Sequence, residues 1–225
     1  MTEFLGRGKE DVPTSLASLL WQYPAYHAPY VGYGIEVSHA KAYANYAYFQ
    51  AVLPMRLQLI SKLLRESGNI DVSAALRSPV DSGRLLAIAL QKWATEEWRL
   101  LVGNRQWTRR QWLHSSRDKD DIVFSMLLDL AILLGEIIIR ANSDWRWSLD
   151  MTEENVTDDM TSAHRIVLLA DPVGDHAEPF VIDLEEIVVH RFLHADEPSQ
   201  RLLNPLLTVV EQAIRGDYMA AWRAR

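Results

Sequence analysis

The chain of 225 residues contains no cysteine. Disulfides and thiolate metal sites are therefore excluded, and the absence fits a reducing compartment. The glycine-rich cradles that hold phosphates are missing as well. There is no GxGxxG, no GxxxxGK[ST] and no GxSxG nucleophile turn. Positive charge is in short supply, with 23 Lys and Arg against 30 Asp and Glu and a formal net charge of -7. That balance argues against general nucleic-acid binding and suits a basic partner. The opening residues, MTEFLGRGKEDVP, lack the continuous apolar run and the small-residue cleavage site of a secretory leader. The expectation is a cytoplasmic protein. Neither repeats, low-complexity tracts nor a clear interdomain linker divide the chain.

What is present is an ordinary globular mixture, 48% hydrophobic and 24% charged. A chain of this length buries most of its apolar surface without staples. The reading is one domain, 1–225, in two subregions: a helical part over 1–117 and an α+β part over 118–225. The fold class expected is α+β, mostly α, with the N-terminal helices packed on a C-terminal helix and a small antiparallel sheet.

The early segment is tyrosine-rich, with seven of the eight tyrosines between Tyr23 and Tyr48. Tyrosine joins a large apolar face to a polar tip, so it suits an arm wrapped over a core or a partner surface. Pro24, Pro29, Gly32 and Gly34 keep that arm irregular. Residues 36–67 carry Leu53, Leu57, Ile60 and Leu64 at helical spacing, and Pro54 is expected to kink or divide the helix. Ser78-Pro79-Val80-Asp81 is a good helix start, and Leu86, Leu90, Trp93 and Leu100 mark the buried stripe that follows. Residues 105–117 mix Trp107 and Trp112 with four arginines. Such mixing can bind single strands, yet a half-buried helix edge is the better reading in so acidic a chain. Strands are expected at 145–149 and 165–169, paired with each other, and at 180–182. Helices are expected at 185–193 and 199–214, with a last helical turn at 218–222.

Residues 122–139 form the most apolar run, long enough to approach the thickness of a bilayer core. Asp129 lies near its middle, where a charge costs roughly 2.5–3.5 kcal/mol on the insertion scale, and Glu136 adds to that. The run therefore reads as a buried scaffold helix. Asp129 and Glu136 are seven residues apart and share a helix face, and Arg140 stands four beyond Glu136, in pairing range. Gly135 costs about 1 kcal/mol against Ala in a helix. It implies the close approach of another backbone, that of the sheet.

Charge is sorted along the chain. From Asp150 to Glu197 thirteen carboxylates face two arginines, whereas from Arg84 to Lys119 eight cations face three acids. The two segments either attract each other within the fold, or the acidic one docks a cationic protein. A different chemistry is offered by HRFLH. There His190 and His194 stand four apart, and Glu186 precedes His190 by four. Such spacing can hold a zinc ion, although HExxH is absent and a further ligand, His164 or His176, would be needed.

Leu134-Gly135-Glu136 on an apolar helix, a turn, and then a strand bearing Trp145 and Trp147 resembles a pattern in small bacterial proteins. These are encoded in polymorphic toxin systems, and many act as immunity proteins. Pro179-Phe180, ahead of a helix, is similar to a later part of the same pattern. The resemblance covers residues 127–192, and Asn142-Ser143-Asp144 stands where relatives often carry Gly-Gly. It implies a non-enzymatic protein without cofactor or catalytic residues, which binds and neutralises a secreted toxin. From charge and expected exposure, the partner-binding candidates are Asp158, Asp159, Asp175, Glu178, Glu185 and Glu186. The competing readings are a metal-dependent hydrolase using Glu186, His190 and His194, and an adaptor or chaperone that loads an effector.

Overall fold

The computed structural model describes residues 15–103, 107–195 and 204–223, with side chains to residue 220. Helix α1, Leu16–Leu20, starts at Ser15, whose hydroxyl accepts the Ser18 N–H. An irregular arm follows to residue 33, as the prolines require. Helix α2, His39–Gly68, then runs for 30 residues with Pro54 inside it. The expected division at Pro54 is not seen. Phe49 is buried on one side of the proline, and Arg56, Leu57, Ile60 and Leu64 on the other. Their packing outweighs the roughly 3 kcal/mol a helix-interior proline costs. Asn69 ends α2 in the left-handed conformation, with φ 51°.

Helix α3 spans Ser73–Arg77, and α4, Pro79–Val102, begins with its proline in the first turn. Helix α5, Arg109–Leu113, is capped by Thr108. Helix α6, Val123–Ala141, is the centre of the molecule, with fifteen of its nineteen residues buried. Residues 119–141 are long and apolar enough to cross a membrane, yet 78% of their most apolar window is buried inside the fold. The carboxylate of Asp129 explains how this helix tolerates charge. Arg56 of α2 donates from Nε to Oδ1 at 2.7 Å and sets Nη2 2.6 Å from Oδ2, and the Tyr23 hydroxyl donates to Oδ2 at 2.5 Å. Burial pushes Asp129 up to about 6, against the pull of Arg56 and Tyr23.

Strand β1, Trp145–Leu149, pairs antiparallel with β2, Ile166–Ala170, and β2 pairs antiparallel with β3, Phe180–Ile182. The connection between β1 and β2 holds a short helix, α7, Glu153–Thr157. Helices α8, Leu184–Leu193, α9, Pro205–Arg215, and α10, Asp217–Arg223, complete the chain. The expected start of α9 at Ser199 lies outside the described residues. The fold is α+β and mostly α. Its principal buried cluster draws residues from Leu16 to Met219, so both subregions share one core.

Two expectations about packing change. Leu100 faces solvent, 77% exposed, and Trp98 is buried in its place, because its ring meets the edge of Phe192 on α8. Gly135 does meet the sheet, but through a side chain and not a backbone. A Cβ there would overlap the Trp147 indole, whose Nε1 donates to Glu136 at 3.1 Å. The same Glu136 takes Arg140 at 3.3 Å, the pairing expected from their spacing.

Candidate functional site

The acidic segment is built on two buried or half-buried aspartates. Asp150, just after β1, is fully buried. It accepts from the Thr152 N–H and hydroxyl and from Asn155 Nδ2, which folds the chain into α7. Asp183 caps α8, with Oδ1 accepting the Glu186 N–H at 2.9 Å. Between these two turns lies a groove of about 350 Å³ whose lining includes Glu154, Met160, Glu178, Asp183 and Glu186. Four carboxylates and one exposed methionine therefore converge on it.

Charge on this segment is segregated by direction. Its two arginines turn inward: Arg191 is fully buried, and the Arg165 side chain is 12% exposed. Glu153, Glu154, Asp158, Asp159, Asp171, Asp175 and Glu178 all face out. Among described residues 150–195, every Asp, Glu, Lys or Arg that is exposed is negative. Cations from elsewhere reach two positions at the edge, where Arg146 pairs with Asp171 at 2.6 Å and Arg109 pairs with Glu186.

Of the six candidates chosen from sequence, the structure gathers Glu178 and Glu186 on the groove. Asp158 and Asp159 are exposed just after α7, and Asp175 is exposed in the turn between β2 and β3. Glu185 was chosen for exposure but is only 8% exposed. Its carboxylate receives Arg117 at 2.5 Å, Arg165 at 2.9 Å and the Trp112 indole N–H at 2.9 Å. Helical period explains the difference: Glu185 and Glu186 are about 100° apart, so one turns to the core as the other turns to the groove. Arg109–Glu186 and Arg117–Glu185 also realise the internal attraction between the basic and acidic segments. Glu154, Met160 and Asp183 were missed. Asp183 had a readable signal, since an Asp three residues before Glu186 ahead of an apolar run marks a helix start.

The metal alternative gains no geometry. Glu186 is engaged with Arg109, His190 is exposed, and the His190 and His194 rings sit 4.5 Å apart between centroids. His164 packs on His39, and His176 on Phe180. Among the described residues no three His, Asp or Glu come together as a metal site.

The ionised network sets a pH dependence. Burial favours the neutral acid of Glu185, but Arg117, Arg165 and the Trp112 N–H overcome it and hold the group at about 2. Burial pushes Asp183 up to about 6, only partly offset by Arg165 and the Glu186 N–H. The signs oppose. The contribution of Glu185 is complete above about 4.5 and is lost as pH falls toward 2. That of Asp183 is complete below 3.8 and is lost as pH rises through about 6. Stability should therefore peak on the acid side of neutrality. Asp183→Asn, which keeps the cap, should flatten the decline from pH 4 to 6 by about 3 kcal/mol or less, measured as urea midpoints across pH. An unchanged slope would show that Asp183 does not titrate in that range.

The chain matches no family model, and no curated protein or solved structure is significantly similar to it.

Proposed function

We propose that this protein is an immunity protein, which binds and neutralises a cognate bacterial toxin in the cytoplasm by presenting the acidic face of residues 150–186. The supporting observation is the segregation of charge: exposed carboxylates face out while Arg165 and Arg191 turn inward. A fold with no use for this face would intersperse both signs on it. The groove suits a lysine or arginine side chain of the partner, with Met160 offering an apolar contact for the aliphatic stem. The partner is a protein with a basic surface, and neither nucleic acid nor membrane is involved.

Long-range attraction chiefly raises association rates, and salt screens it. Association with the product of the neighbouring gene should slow steeply between about 0.01 and 0.15 M salt, as the Debye length shrinks from roughly 30 to 8 Å. Stopped-flow mixing reads this directly, and a salt-independent rate would speak against the acidic face. Co-expression separates inhibitor from loader. An immunity protein rescues cells from the neighbour's toxicity, whereas an effector-loading adaptor promotes export without rescue.

A further inference from the structure

The sheet ends on an open edge. Its strand order is β1-β2-β3, so β3 has one paired side and one free side. The register decides which backbone groups face which way. Asp150 donates to the Arg165 carbonyl at 2.9 Å and accepts from the His164 N–H at 2.8 Å, so it faces the β2 side. Counting back by twos, Ser148 and Arg146 face β2 as hydrogen-bonded pairs with Val167 and Leu169. Leu168 and Ala170 therefore turn to β3, where they pair with Ile182 and Phe180. Val181, between those two, points its N–H and C=O away from β2. The opposite edge shows the same alternation, since the Trp147 carbonyl points outward and receives the Tyr46 hydroxyl at 2.6 Å.

The two outward groups of Val181 have no hydrogen-bond partner among the described residues. Pro179, two residues earlier, has no N–H to offer, which suits the start of an edge strand. An edge with open donors and acceptors is a template for another chain. Here the edge lies on the acidic groove, whose lining includes Pro179, Val181 and Asp183.

Charge selects the occupant. Asp183 and Glu186 on the groove are already paired, with Arg165 and Arg109. Glu154 and Glu178 are exposed and have no cation beside them among the described residues, so they supply the unbalanced charge. A second copy of this chain would bring its own carboxylates against them, and like charges facing across strands repel. We infer that the partner adds an extended, lysine- or arginine-bearing segment to the free edge of β3 as a fourth strand. Val181 then fixes the register through its N–H and C=O, and Glu154 and Glu178 receive the cationic side chains. The inference rests on the immunity reading, and it specifies how the acidic face grips its partner.

The test titrates the isotope-labelled full chain with acetyl-Lys-Val-Lys-Val-Lys-amide at about 0.01 M salt, up to ~10 mM peptide. A second peptide has its inner backbone nitrogens methylated, and a third carries glutamate in place of lysine. The lysine peptide should saturate, shift the Val181 amide resonance and slow its hydrogen exchange. The methylated peptide keeps the charge but loses the donors, so it should bind about tenfold more weakly. The glutamate peptide should not bind. Val181→Pro removes the outward N–H at a position where an edge strand tolerates proline. Its fold should hold while affinity for the lysine peptide falls about tenfold. Should that variant fold poorly, the methylated peptide on wild type decides. Equal binding of the lysine peptide and its methylated form would overturn strand addition and leave the acidic face standing. Equal binding of the glutamate peptide would overturn both. No saturable binding of the lysine peptide would overturn strand addition as well.

Discussion

Asp129→Leu should cost about 3–5 kcal/mol of folding stability in urea denaturation, the largest loss expected of any single substitution on the polar edge of α6. The reason is the Arg56 guanidinium left behind. The side chains of Arg56 and Asp129 are 1% and 0% exposed, so removing the carboxylate strands a charge where water cannot reach it. Arg56 would retain the carbonyl of Pro24, at 2.8 Å, as an acceptor, which does not neutralise it. The Tyr23 hydroxyl would lose its acceptor as well. Replacing both charges, Arg56→Met with Asp129→Leu, should recover most of the loss, because a buried ion pair is worth little more than apolar side chains of similar volume. If the double variant is as unstable as the single one, the pair is not what the loss measures.

Gly135→Ala should be nearly as damaging. One methyl group would ordinarily strengthen a helix by about 1 kcal/mol. Here it would overlap the Trp147 indole, which is wedged between α6 and α2 against Phe49, with ring centroids 5.1 Å apart. Relief requires moving β1 or breaking the Trp147–Glu136 hydrogen bond, and such overpacking costs typically 1–3 kcal/mol or more. Trp147→Leu should lower stability alone, yet Gly135→Ala should be much better tolerated on that background. A double-mutant cycle measures the coupling, expected at 1 kcal/mol or above, and strict additivity would mean the two residues do not meet. Gly135 and Glu136 of α6 and Trp147 of β1 thus form an internal joint between helix and sheet.

That joint shows what the sequence could and could not reveal. The apolar run with its Asp129 and Glu136 announced a buried helix with one polar edge, because Coulomb and burial costs leave few other uses for such a pattern. The partners were not legible: Arg56 lies 73 positions from Asp129, and nothing local connects them. The strand at Trp145 is legible from alternation and that at Ile166 as a short apolar run, and their pairing is expected despite the long connection, whereas α7 between them is too short to show a period. The same limit applies to the site. Net negative charge from 150 onward is plain in the sequence, but which of two adjacent glutamates turns outward depends on the phase of α8, which buries Glu185.

The measurement that tests the central claim most directly is charge reversal on the acidic face, read as partner affinity and as protection of cells. Glu154→Lys, Asp158→Lys and Glu178→Lys change exposed positions only, so the triple variant should keep its fold and its melting temperature within a few degrees. At about 0.15 M salt its affinity for the neighbouring gene product should fall roughly a hundredfold or more, and protection should be lost. A folded triple variant that binds and protects like wild type would contradict the account.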